Sequence, residues 1–164
     1  MTLLEFHVLI SLVEIAAGLI MLYGLITGRA FGVWTALFLA TAILTSLTGF
    51  PLAPFGFDPP RAIGILTLVL LAVAVGAYYL FQLAGAWRWI YVVTALLALY
   101  LDVFVGVIQS FMKIPSLHVL APTQSEPPFL VAQAVVLALF VVLGFLALRK
   151  FHPAKFHSDL APTA

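Results

Sequence analysis

The sequence predicts an all-α fold: an integral membrane bundle of five transmembrane helices, N-terminus out and C-terminus cytoplasmic. Three observations predict it. Of 164 residues, 65% are hydrophobic and 8% are charged, where soluble domains have about 45–50% apolar and about 25% charged residues. Five apolar stretches approach the roughly 20 helical residues that cross a hydrocarbon core about 30 Å thick. The basic residues then fall mainly on one side, as the positive-inside rule requires.

The first span is expected at Leu3–Ile26. Its leading charge is the acidic Glu5 and it is long enough to cross, so it reads as a retained helix and not as a cleaved signal. Thr27-Gly28-Arg29-Ala30 is a tight polar turn into the second span, Phe31–Thr48. A proline-rich connection of residues 49–58 leads to the third span, Arg61–Leu83, which Gly85 closes. The fourth, Trp87–Met112, is stopped by Pro115, and the fifth is Pro128–Leu148. Asp58-Pro59-Pro60 and Ser125-Glu126-Pro127-Pro128 read as helix starts, with proline in the first turn and an acidic or hydroxyl side chain as cap. Residues 1–151 form one membrane domain and 152–164 a short cytoplasmic tail.

Orientation follows from charge. Arg29, Arg88, Arg149, Lys150 and Lys155 share a side with the C-terminus, and only Arg61 and Lys113 lie opposite. Tyr23, Trp34, Tyr78, Tyr79, Trp87, Trp89 and Tyr91 fall near the same ends of their spans and are expected to form a cytoplasmic interfacial belt. The expected location is the inner membrane of a bacterium. The longer outer connections, residues 49–58 and 113–126, are where a ligand entrance is expected.

Glu14 and Asp102 break this apolar pattern, because no lysine or arginine shares their spans at that depth. Ionisable groups in hydrocarbon are costly and are functional hypotheses by default. At 1.5 Å per residue, Glu14 lies roughly 16 Å and Asp102 roughly 15 Å below the outer ends of antiparallel spans, so both reach one level. Helical spacing puts His7, Ser11 and Gly18 on the face of Glu14, and Ala95, Ala98, Gly106 and Gln109 on that of Asp102. These small, polar faces are expected to point into the bundle and at each other. His7 and Gln109 would then meet above the acids as an outer gate, with Thr41, Thr45 and Ser46 of the second span as further hydrogen-bond partners. With no buried cation, at least one acid is expected to be protonated, and a pair in contact would share a proton.

Other chemistry is weakly supported. The chain has no cysteine, so disulfides, thiolate sites and cysteine nucleophiles are excluded. No basic run or nucleic-acid motif is present, and no phosphate loop, nucleophile elbow or HExxH helix occurs. His7 is about 10 Å along its helix from Glu14, too far to complete a metal site with the acids. A haem held by His7 and His118 would depend on a proline-flanked loop. No metal or cofactor is therefore expected. His152 and His157 belong to the tail. In size and span number the chain resembles the translocator-protein family, small five-helix membrane proteins that bind tetrapyrroles and sterols. None of that family's tryptophan- and proline-rich motifs is found here, and no residue role is carried over.

The expected function is non-enzymatic: binding or passing a small ligand, proton or cation through the outer-facing interior. Glu14, Asp102, His7, Gln109, Ser11, Thr41 and Thr45 are the expected pathway residues. Two alternatives come from other classes. One is a lipid- or isoprenoid-modifying enzyme using the acids as acid and base. The other is an accessory subunit of a membrane complex with no site of its own; separately, protonated acids could serve only as hydrogen-bonding glue between helices. Membrane lipids, and a second copy or a partner subunit, are the expected partners.

Overall fold

The computed structural model describes residues 2–52 and 59–152. Asp58, most of the 49–58 connection and the tail beyond His152, with Lys155 and His157, lie outside the described residues. The elements are α1 (Leu3–Thr27), α2 (Gly32–Gly49), α3 (Pro59–Val75), α4 (Trp87–Lys113), the single turn α5 (Pro115–His118) and α6 (Pro127–Lys150). All but α5 are long and apolar enough to cross a bilayer, with α3 counted through Leu80. The chain is an integral membrane protein of five spans.

Each span starts where its local chemistry allows. Thr2 caps α1 by accepting from the Glu5 N–H at 3.2 Å, while the Glu5 carboxylate accepts from the Thr2 N–H at 2.9 Å. Gly28, at φ 72°, ends α1 in the left-handed conformation that glycine adopts without penalty. The spans run alternately up and down. Going round the bundle, α1 is followed by α2, α3, α4 and α6, with α6 returning to α1 and α1 touching α4 across the centre. One end carries His7 and Lys113 and the other carries Arg29 and Lys150. They are called below the His7 end and the Arg29 end.

The apolar core fills the Arg29 half. Ala17, Met21, Phe38, Ala42, Leu71, Tyr91, Ala95 and Leu99 are all fully buried there. Gly18 brings α1 onto this core. A Cβ at that position would overlap Leu99 of α4 and lie 2.9 Å from Phe38 Cδ2 of α2. Such close approach through a small residue is how membrane helices gain packing without a hydrophobic driving force. By contrast α6 is the least buried span, with only 6% of its apolar window covered by protein.

Three expectations need correction. The third span does not stay α-helical to Leu83. It ends at Val75 and continues as a π-helical turn, Gly76–Leu80, followed by left-handed Gln82, Leu83 and Gly85. Gly76 and Gly85 make this terminus permissive, and the freed Phe81 and Leu83 N–H groups bond back to Gly76 and Ala77. Tyr91 is no part of an interfacial belt, because it is 0% exposed. Its hydroxyl lies 3.2 Å from Met21 Sδ and 3.5 Å from Thr35 Oγ1, and Tyr78 leans on its ring. Tyr23, Trp34, Tyr79 and Trp89 do face outward. Trp89 and Tyr91 lie within one turn of each other on α4, and the helix face decides the difference.

Glu126 is the third correction. It precedes α6 but does not cap it. Its carboxylate instead folds back to accept from the N–H and hydroxyl of Thr123, at 3.1 and 2.8 Å, and from the Ser125 N–H at 3.1 Å. Desolvation is the largest single influence on this carboxyl and acts upward, but the hydrogen bonds together outweigh it and hold the group below the ordinary carboxylate range. The 113–126 segment is thus an ordered connection. Ala121, within it, is buried with Phe111 and Phe129, and Gln124 donates to Ile108 O at 3.3 Å.

Candidate functional site

Above the Gly18 crossing, α1, α2, α3 and α4 separate and enclose a cavity of about 660 Å³. Its floor is built from one side chain of each helix: Glu14 of α1, Thr45 of α2, Thr67 of α3 and Asp102 of α4. Both Glu14 oxygens, Asp102 Oδ2, Thr45 Oγ1 and Thr67 Oγ1 are buried and lack a hydrogen-bond partner. Glu14 is 0% exposed and Thr67 1%. The two carboxyls are near enough to interact directly, and Thr45 approaches Glu14. Two ionised carboxylates have no proton to join them, and a single shared proton would hydrogen-bond Glu14 to Asp102.

Such a group of orphaned atoms is unusual, because buried polar groups are ordinarily paired and each unpaired one costs about 1–3 kcal/mol. Four other hydroxyls among the described residues follow the ordinary rule. Thr41 donates to Leu37 O at 2.7 Å, Thr48 to Leu44 O at 2.8 Å, Thr94 to Ile90 O at 2.8 Å and Ser110 to Gly106 O at 2.8 Å. The unpaired hydroxyls of Thr45 and Thr67 are the ones at the cavity floor.

The mouth lies at the His7 end. His7 Nδ1 meets Thr48 Oγ1 at 2.9 Å. Thr48 gives its only proton to Leu44 O, so its oxygen accepts from the imidazole and ties α1 to α2. Arg61 and Lys113 also line the upper cavity. Arg61 donates to the carbonyls of Phe50, at 3.2 Å, and Leu52. Leu4, Val8, Leu12 and Met112 line the cavity and are also exposed. Beneath the floor it is blind, closed by Gly18, Leu99 and Phe38.

Comparison with family models, curated proteins and solved structures finds no match.

Of the residues singled out in the sequence, the fold brings Glu14, Asp102, His7, Gln109, Ser11, Thr45 and Ser46 to this one cavity. His7 and Gln109 share its wall, but no hydrogen bond joins them. Ser11 spends its hydroxyl on Val8 O at 2.8 Å. Thr41 does not line the cavity. It is turned into the bundle on the neighbouring face of α2, bonded to its own helix. His118 is exposed on α5 and away from the lining. Among the described residues no three His, Asp or Glu side chains converge as a metal site needs.

Two polar residues were missed. Thr67 is the only polar residue between Arg61 and Tyr78, which was its available signal. Gln133 of α6 donates to Phe104 O at 3.2 Å and leaves its own carbonyl buried and unpaired. That bond fastens the otherwise sparsely buried α6 to α4.

Proposed function

We propose that this protein binds a small amphipathic ligand in the cavity between α1, α2, α3 and α4. One observation carries the reading: unpartnered polar atoms from four helices meet at the floor of a blind, mostly apolar cavity of about 660 Å³. Ligand sites commonly have volumes of about 300–1,000 Å³, apolar walls and a few convergent polar groups. Plain helix–helix glue through a proton shared by Glu14 and Asp102 leaves the cavity above the pair and the unpaired Thr67 hydroxyl without a role.

Binding is favoured over passage. The cavity ends on the Gly18–Leu99 contact and the fully buried core below it. A single chain encloses the site, so no second copy is required to form it. The charge asymmetry supports an orientation with the His7 end outward and the Arg29 end cytoplasmic, in the inner membrane of a bacterium.

The test uses cavity-filling variants. Gly106 and Gly64 line the cavity, and a Cβ at either meets nothing nearer than 3.8 Å. Gly106→Leu adds bulk inside the cavity from a position with room for a side chain. In lipid nanodiscs, decanol, decylamine or decanoate should raise the melting temperature of the wild type and not of Gly106→Leu. If none of the three separates the two proteins, the reading is abandoned. Proteoliposomes should hold a pH gradient as long as protein-free liposomes do. A flux abolished by Glu14→Gln/Asp102→Asn would replace binding with conduction.

A further inference from the structure

The unpaired atoms at the floor set the chemistry of a complementary ligand. An ionised carboxylate accepts hydrogen bonds and gives none. A carboxyl pair with one proton has a single bond to donate, and the two threonine hydroxyls have one each. The five buried unpartnered oxygens of Glu14, Asp102, Thr45 and Thr67 therefore have more accepting capacity than their own protons fill. Their complement is a group rich in donors.

Charge points the same way. A buried ionised carboxylate needs a cationic partner. None of the described residues supplies one at this depth. Arg61 is engaged at the mouth with the Phe50 and Leu52 carbonyls. Lys113 is exposed at the end of α4, about 16 Å along the helix from Asp102. An anionic head would meet the acids without a counter-charge. A bare inorganic cation would leave the apolar walls above the floor unfilled.

We propose, building on the cavity reading above, that the site takes a lipophilic amine. Its ammonium lies among Glu14, Asp102, Thr45 and Thr67, and its apolar body fills the space up to Leu4 and Val8. An alkylammonium supplies three donors and a positive charge, and with a pKa near that of lysine, about 10.4, it is charged at neutral pH. The exposed Leu4, Val8, Leu12 and Met112 of the cavity wall give such a molecule an apolar path from the lipid. The apolar body follows the exposed Leu4, Val8 and Leu12, and the head reaches the floor.

Saturable binding of radiolabelled dodecylamine to protein in phosphatidylcholine nanodiscs, corrected with empty nanodiscs, tests this. One amine should bind per chain. Glu14→Gln/Asp102→Asn should weaken it at least tenfold and Thr67→Val severalfold, and dodecanol should compete at least tenfold less well than unlabelled amine. If the double variant does not fold, Thr67→Val and the dodecanol competition carry the test. Equal competition by dodecanol, with Thr67→Val unchanged, would sink the amine assignment while leaving the cavity reading standing. Absence of saturable binding by amine and alcohol alike would remove both.

Discussion

Gly18 of α1 and Leu99 of α4 touch so closely that a methyl group at Gly18 would overlap the leucine side chain. This contact lies one turn from Glu14 and on the Arg29 side of it. It separates a dry core from a cavity with unpaired acids. The two helices pack most tightly at this contact, and on its His7 side the cavity opens between them, α2 and α3, so one glycine sets where the bundle opens.

Gly18→Ala should therefore destabilise the protein by about 1–3 kcal/mol, the usual cost of overpacking. Gly106→Ala, with Ile15 Cδ1 the nearest atom at 3.8 Å, should not. Thermal unfolding of both variants in one detergent checks the contrast. Equal melting temperatures would mean that the crossing is looser than described.

The floor should trade stability for binding. Thr67→Val removes a buried hydroxyl with no partner and keeps the side-chain shape. Apolar replacement of an unsatisfied polar group is neutral or stabilising. Its melting temperature should equal or exceed that of the wild type while amine binding falls. A clear loss of stability would show that the Thr67 hydroxyl is already bonded.

Tyr91→Phe provides the opposite case. Its hydroxyl is fully buried and bonded to Met21 and Thr35. Removing it should cost about 0.5–1.5 kcal/mol, read from denaturant or thermal unfolding. An unchanged midpoint would assign these contacts no energetic role.

Glu126 should make the 119–126 connection pH-dependent. Desolvation pulls its carboxyl upward, but the Thr123 and Ser125 bonds together outweigh that pull and hold it below the ordinary range. A lowered folded-state value means that the stabilisation is fully present above the unfolded carboxyl's pKa, about 4.3. It is lost as pH falls through the lower folded value. Proteolytic nicking of this segment should be slow at pH 7 and rise below about pH 4. Glu126→Gln should be nicked readily at both.

Topology has a direct check because the chain contains no cysteine. In right-side-out vesicles an impermeant maleimide should label Ser116→Cys and spare Ala30→Cys. The reverse pattern would invert the orientation proposed here.

The sequence by itself determined the solvent, the number of spans, their alternating direction and the common depth of Glu14 and Asp102. Hydropathy is a property of each segment alone, and helical rise converts residue number into depth without knowledge of any neighbour. Tertiary structure decided the rest. It buried Tyr91 where a belt was expected, turned Thr41 away from the cavity, recruited Thr67 and folded Glu126 back on its own loop. Those outcomes depend on how each helix is rotated and where helices cross, which a run of uniformly apolar residues does not encode. The close approach at Gly18 set that crossing, and with it the place where four helices turn their polar side chains toward one cavity.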